Sequence, residues 1–198
     1  MNAFQRAVKR VFDIILSILG LICLSPVFIC IFIIQKCTLK GSPWFTQERI
    51  GYKGKPFNIY KFRTMVESAE DDGPQLSGED DVRLTNFGRF LRKHKFDELP
   101  QLWNIIKGDM SIIGPRPLLI EYLPWYTKEE HRRHDVRPGL TGWAQVNGRN
   151  NLDWDHRFRL DLEYVDNVTF STDIRILWIT LKNVIKRIDV RSEEHTSE

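Results

Sequence analysis

The chain lacks most of the signals that mark metal-binding, disulfide-built and nucleic-acid-binding proteins. It has three cysteines and no Cys-x-x-Cys pair. Cys23, Cys30 and Cys37 recur at heptad spacing along or just past an apolar segment, where free cysteine serves as a small hydrophobe. Disulfides are not expected, and a reducing cytosolic face fits. Helix-turn-helix, zinc-finger and RNA-recognition signatures are missing, so nucleic acid is not an expected partner. Internal repeats are missing as well. Excess charge is small, with 29 Lys and Arg against 26 Asp and Glu. The basic residues cluster beside apolar stretches, as in Val8-Lys9-Arg10 and Arg89-Phe90-Leu91-Arg92-Lys93. That pattern suits an anionic membrane surface or phosphate substrates.

Long apolar runs are also scarce, and there is just one. Residues 14–34 carry no charge and suffice for a straight helix across a bilayer. The run is too long, and too poor in small-residue cleavage sites, to read as a signal peptide. Ser25-Pro26 falls near its middle, where proline removes a backbone donor and opens a kink. Arg6, Lys9 and Arg10 precede it and Lys36 and Lys40 follow it, so the one-sided basic excess of a spanning helix is absent. The residues leave two readings open: a kinked spanning helix, or a re-entrant hairpin with both ends cytoplasmic.

With 198 residues, the chain accommodates one catalytic domain and a membrane element. Two β-rich runs, 44–50 and 57–65, flank a Gly/Pro turn and predict a hairpin. Residues 67–81 form an acidic loop, and Asp71-Asp72 and Asp80-Asp81 read as solvated carboxylates rather than metal ligands. Leu84, Phe87 and Leu91 recur at helical spacing with Arg89, Arg92, Lys93 and Lys95 between them, a basic amphipathic helix suited to an interface. Pro100 and Gly108 bracket a further helix. Residues 110–117 read as a loop stiffened by Pro115 and Pro117. Thr127 and Glu130 form a capping box for a short helix through His134. His131 and His134 have metal-pair spacing, but their charged neighbours predict a solvent-facing helix.

Residues 137–150 are glycine-rich and aperiodic, a composition that suits backbone approach to a ligand or a plain surface loop. A helix from Asp153 to about Asn167 places Asp161 on a stripe with Trp154, Phe158 and Val165, where a carboxylate needs a partner or a job. A last helix, about 172–188, is amphipathic and also suits the interface. The segment 191–198 differs in composition from this helix and resembles the translation of a sequencing adapter. It is set aside, with the expectation that the natural C-terminus is missing. The resulting fold class is α+β and predominantly helical.

The feature that carries chemistry is Asp97-Glu98, just ahead of the helix bracketed by Pro100 and Gly108. A carboxylate beside a metal can attack phosphorus and form an acyl phosphate, splitting one transfer into two steps. Mg²⁺ and arginine would screen the repulsion between nucleophile and substrate. Glu98 is the candidate ligand, and Arg63 and Arg116 are candidate clamps. Taken alone, an Asp-Glu pair is weak evidence of catalysis, and a helix cap explains it more simply.

The pair does not stand alone. An apolar segment broken at Ser25-Pro26, Lys61-Phe62-Arg63-Thr64-Met65, Asp97-Glu98-Leu99-Pro100-Gln101-Leu102 and Gly114-Pro115-Arg116-Pro117 follow in order. Arg137-Pro138-Gly139-Leu140-Thr141-Gly142-Trp143-Ala144-Gln145-Val146-Asn147-Gly148-Arg149 comes last. Together, over nearly the whole chain to about Val190, they resemble the bacterial sugar transferase family. The likeness is to its small monotopic polyprenyl-phosphate phosphoglycosyl transferases.

The resemblance implies transfer of a phospho-sugar from a UDP-sugar to undecaprenyl phosphate, with release of UMP. It opens glycoconjugate assembly (N-glycan, O-antigen, capsule or exopolysaccharide) ahead of downstream glycosyl transferases. Asp97 would be the nucleophile that forms a covalent phospho-sugar intermediate, and Glu98 would hold Mg²⁺. Arg116 would bind phosphate and Arg63 would fill a basic position. Asp161 would be a functional acid. The last motif adds Arg137, Gln145, Asn147 and Arg149 as substrate- or phosphate-binding candidates.

The resemblance also implies a re-entrant membrane hairpin over 1–40, broken at Ser25 and Pro26. A cytosolic catalytic domain over 41–190 would face the cytoplasmic leaflet of the bacterial inner membrane. Interfacial helices would hold it at headgroup height. Two other readings compete. A glycosyl transferase cleaving at the sugar carbon would release UDP, but the only Asp-Asp pairs lie in a loop without a nucleotide-binding setting. A non-catalytic membrane scaffold leaves Asp161, Arg116 and the glycine-rich loop without a role.

Overall fold

The computed structural model describes residues 3–66, 81–148 and 152–186. Most of the acidic loop, Arg149 and the adapter-like tail lie outside the described residues. The elements run α1 (Ala3–Thr38), β1 (Trp44–Ile50), β2 (Pro56–Phe62), α2 (Asn86–Lys93), α3 (Gln101–Lys107), β3 (Ser111–Ile113), β4 (Gly139–Thr141), α4 (Trp143–Val146), α5 (Trp154–Asp166) and α6 (Phe170–Lys186). Short 3-10 turns at Phe96–Glu98, Ile120–Trp125 and Glu130–Asp135 connect them. The α+β, mainly helical class is as expected.

The first element departs from the hairpin. α1 is one α-helix that continues through Pro26, and no reversal occurs at Ser25-Pro26. The reason is local. Pro26 cannot donate to the carbonyl of Ile22, and the Ser25 hydroxyl donates to it instead at 2.8 Å. The helix is long and apolar enough to cross a membrane, and only 11% of its most apolar window is buried. It is therefore no core helix of a soluble domain.

One stripe of α1 nevertheless packs inward. Leu21 and Leu24 join Ile59, Leu102, Ile105 and Met110 in one core cluster. Val27, Phe28 and Ile31 join Phe62 and Leu91 in another. Polar groups fasten both ends. Asp13 accepts from the Ser111 hydroxyl at 2.8 Å and the Ile112 amide at 3.1 Å. Gln35 donates to the Arg63 carbonyl at 2.6 Å. The three cysteines are free and exposed.

β1 and β2 form the predicted antiparallel hairpin, in register from Trp44 opposite Phe62 to Ile50 opposite Pro56. Its turn passes through Lys53 and Gly54, both at positive φ. α3 lies against β2 through Asn104, which is fully buried. Its side chain donates to the Asn58 carbonyl at 2.7 Å and accepts from the Tyr60 amide at 3.0 Å. Gly108 ends α3 in the left-handed conformation at φ 100.

Two expected loops contain regular structure. β3 and β4 pair in parallel, Ser111 with Gly139 and Ile113 with Thr141. The glycines there serve that crossing: a Cβ at Gly139 or at Gly142 would sit 2.1 Å from a Gly114 backbone atom. Backbone meets backbone at this place, which gives Gly139 and Gly142 a structural role beside the ligand approach or plain surface loop expected of the segment. A third core cluster, Ile113, Tyr164, Val168 and Ile176, gathers α5 and α6 around β3. α6 leaves Phe170, Ile174, Trp178, Leu181 and Ile185 exposed along one face, as an interfacial helix would.

Candidate active site

Asp97 and Glu98 occupy the 3-10 turn that leads into α3. The chain enters this turn through Lys95 in the left-handed region, φ 58. A non-glycine residue held there stores roughly 1 kcal/mol of strain, a cost typical of functional turns. Both carboxylates are buried, with 6% and 9% of their surface exposed.

Their surroundings differ sharply. Glu98 receives Arg116 Nη2 on Oε1 at 2.8 Å, and Lys61 Nζ reaches the same oxygen at 3.3 Å. Burial pushes its carboxyl up, but Arg116 and Lys61 outweigh burial and hold it well below the ordinary range. Asp97 Oδ1 is buried with no hydrogen-bond partner among the described residues. Burial, then the neighbouring Glu98 charge, push the Asp97 carboxyl up against the weaker pull of Lys61, Lys95 and Arg92. One acid is thus kept ionised and the other kept basic, a division of roles seen where two carboxylates share a site.

Arg116 retains an accessible face, with 36% of its side chain exposed, so it can meet an incoming anion without leaving Glu98. Its segment is braced from several sides. Gly114 donates to the Thr141 carbonyl at 2.9 Å and Gly139 donates to the Pro115 carbonyl at 2.9 Å. Arg133 Nη2 donates to the Arg116 carbonyl at 2.9 Å. That same nitrogen donates to Asp161 Oδ2 at 2.6 Å, and Arg133 Nε donates to it at 3.1 Å. The Asp161–Arg133 pair is sealed, each side chain 2% exposed.

The expected site residues divide accordingly. Asp97, Glu98 and Arg116 come together. The cation that β2 delivers to Glu98 is Lys61, whereas Arg63 lies just past the strand and is held by its backbone to Pro43 and Gln35. Arg137 is elsewhere. Its Nε donates to the Gly108 carbonyl at 2.9 Å, beyond the far end of α3, where Arg10 also binds the Ile105 and Ile106 carbonyls. The two arginines close a helix C-terminus. The amide of Gln145 is buried without partners among the described residues. Asn147 is exposed and donates to the Trp143 carbonyl at 2.8 Å. Arg149 lies outside the described residues.

The helix around His131 is a correction. Its capping box forms as expected, with Thr127 and Glu130 bonded reciprocally. The solvent-facing expectation fails for Arg133 and His134, which are 2% and 6% exposed. Burial, then the charge of Arg133, lower the His134 ring to about 4. No cluster of three metal-ligating side chains occurs among the described residues. Asp81 instead pairs with Arg83 at 2.6 Å.

Lys61 and Arg133 were not singled out in the sequence. Alternation along β2 puts Lys61 on the face opposite the core residue Phe62, a signal that was readable. Arg133 gave none, because its partner lies on another helix.

Residues 4–187 match the family described as bacterial sugar transferase. The chain is 48% identical over 191 residues to the uncharacterized sugar transferase EpsL of Bacillus subtilis, covering 96% of this chain and 93% of that one. It is 41% identical over 199 residues to an undecaprenyl-phosphate galactose phosphotransferase of Salmonella typhimurium, covering 92% of this chain and 41% of the relative. With a UDP-glucose:undecaprenyl-phosphate glucose-1-phosphate transferase of Escherichia coli it shares 39% over 189 residues, covering 91% and 41%. The chain thus spans nearly all of the first relative and about two fifths of the other two.

Proposed function

The chain belongs to the bacterial sugar transferase family, and from that premise we propose that it moves a sugar phosphate from a UDP-sugar to undecaprenyl phosphate. The observation that carries the reading is the unequal carboxylate pair: Glu98 paired with Arg116 and Lys61, and Asp97 buried with one oxygen unpartnered among the described residues.

In the first half-reaction an Asp97 oxygen attacks the β-phosphorus of the donor. The bond from that phosphorus to the bridging oxygen breaks, and UMP leaves with the bonding pair. An aspartyl phospho-sugar remains. In the second half-reaction a phosphate oxygen of undecaprenyl phosphate attacks the same phosphorus, and the Asp97 carboxylate departs. The product is undecaprenyl-diphosphate-sugar. Arg116 clamps phosphate oxygens through the exposed side of its guanidinium, and Lys61 adds positive charge beside Glu98. The unpartnered Asp97 oxygen and Glu98 suit Mg²⁺, which is ordinarily held by one or two carboxylates together with substrate phosphates. When bound there, the ion would neutralise the charge developing on the donor diphosphate.

The membrane setting is part of the proposal. Both ends of α1 are fastened to the same domain, at Asp13 and at Gln35. A helix crossing roughly 30 Å of hydrocarbon could not keep both ends there. This supports insertion from one side into the cytoplasmic leaflet of the inner membrane, with α1 continuous through Ser25-Pro26. Downstream glycosyl transferases would extend the product.

The test is nucleotide release. Purified protein is incubated with undecaprenyl phosphate, Mg²⁺ and UDP-glucose or UDP-galactose, and UMP and UDP are measured separately. UMP that requires the lipid is the expected product. UDP would identify a glycosyl transferase and remove Asp97 from its role.

A further inference from the structure

Asp161 is placed where no substrate reaches it. It is 1% exposed, and its Oδ2 is taken twice by Arg133, at 2.6 and 3.1 Å. Arg133 is equally enclosed: Nη1 donates to the Tyr126 hydroxyl at 3.3 Å, and the guanidinium lies 5.5 Å from the Phe158 ring centroid. Among the described residues, its connection to the reaction site runs through Nη2 and the Arg116 carbonyl at 2.9 Å. The chain at Arg116 is stiff, because Pro115 and Pro117 fix their own φ and restrict the residue between them. A push on that carbonyl is therefore passed to the side chain, whose Nη2 meets Glu98 at 2.8 Å.

Resting on the phosphoglycosyl reading above, we propose that Asp161 and Arg133 are positioning residues that act on the reaction through Arg116, and that Asp161 contacts neither donor nor metal. The division of labour follows from geometry. Asp161 fixes the plane and charge of Arg133, Arg133 fixes the height of the Arg116 backbone, and Arg116 alone meets phosphate. Bidentate clamping is sensitive to small displacements, and a misplacement of about 1 Å costs about 100-fold in rate.

A double-mutant cycle tests this with the full-length protein in detergent. Arg133→Lys and Asp161→Asn are each made in the wild-type and in the Arg116→Ala backgrounds. Two quantities are read: the dissociation constant for UDP with Mg²⁺ present, and UMP release with undecaprenyl phosphate. Each single change is expected to weaken UDP binding and turnover by about 10- to 100-fold when Arg116 is present. In the Arg116→Ala background neither should weaken UDP binding by more than about twofold, since the residue they position is gone. The Mg²⁺ concentration for half-maximal effect should not change in Asp161→Asn. A full further loss of binding without Arg116, or a raised Mg²⁺ requirement, overturns the proposal and makes Asp161 a direct ligand. Arg133→Lys keeps the charge against Asp161, so it carries the cycle even if Asp161→Asn does not fold. A wild-type protein that releases no UMP overturns the reading and the proposal together, whereas UMP release with additive losses overturns the proposal alone.

Discussion

The buried clusters around Asp97 and around Asp161 are joined by one backbone carbonyl, and they are built on opposite principles. Around Asp161 everything is closed: both oxygen-to-nitrogen contacts fall on Arg133, and both side chains are 2% exposed. Around Asp97 something is left open. Its Oδ1 is buried without a partner among the described residues, it shares its turn with a second carboxylate, and the arginine paired with that second carboxylate keeps an exposed side. Burying an unsatisfied carboxylate destabilises a fold by roughly 1–3 kcal/mol or more, so the fold keeps one only where it serves a purpose. A satisfied buried pair holds structure in place, and an unsatisfied one is held ready for a reaction.

The largest effect that tests this contrast is at Asp97. Asp97→Asn removes the nucleophile, and turnover should fall by roughly 1000-fold or more. The same change should raise the thermal midpoint at pH 7, because it discharges a carboxyl that the fold disfavours in ionised form. Lost activity with raised stability sharpens the contrast, and a lowered midpoint would break it.

The closed cluster should behave in the reverse way. Arg133→Met strands Asp161 and should destabilise by about 3–5 kcal/mol. Adding Asp161→Leu to Arg133→Met should recover most of that stability, because the two apolar side chains refill the volume. Activity should not return with it, since the Arg116 carbonyl has lost its donor. Denaturant unfolding and UMP release, measured on the same samples, separate the two outcomes.

Sequence showed the open cluster better than the closed one. Asp97 and Glu98 are neighbours, and Pro100 and Gly108 mark the helix behind them, so the dyad and its dipole could be read from adjacent residues. The hairpin was equally local, with its turn spelled out by Gly51, Gly54 and Pro56. Asp161 stood out as a carboxylate on a packing stripe, but its partner did not, because Arg133 sits in a run of charged residues on another element. β3 and β4 escaped for a related reason. Each is a short parallel strand whose partner lies far along the chain, and its glycines answer to a backbone crossing that no local pattern encodes. The continuity of α1 was hidden too, since Pro26 announces a break while its repair by Ser25 shows only in three dimensions.

A smaller effect lies at His134, packed against the closed cluster. Its ring titrates near 4 in the folded protein, against an ordinary value of 6.5. The folded state therefore binds fewer protons than the unfolded chain between those limits, and stability should fall as pH drops from about 6.5 towards 4. Glu98 adds a loss at lower pH, because its depressed carboxyl stabilises the fold only while ionised. Asp97 works the other way, gaining stability on protonation. His134→Gln should flatten the thermal midpoint between pH 6.5 and about 4 and leave the steeper acid limb below it. An unchanged profile would mean that His134 takes up its proton without cost.

The smallest test carries the contrast onto the apolar helix. The Ser25 hydroxyl closes the Ile22 carbonyl that Pro26 leaves open, so this site should behave like the closed cluster and not like Asp97. Ser25→Ala reopens that carbonyl and should cost about 1 kcal/mol. The loss should be larger in a lipid nanodisc than in detergent, because water reaches an open carbonyl more easily in a micelle. Adding Pro26→Ala restores the missing N–H, so the double variant should be more stable than Ser25→Ala alone. If the two changes instead add as independent losses, the hydroxyl is not what closes the helix. Pro26 would then be tolerated in α1 because the backbone bends there, and that bend would add to the contacts at Asp13 and Gln35 as support for the one-sided insertion proposed for α1.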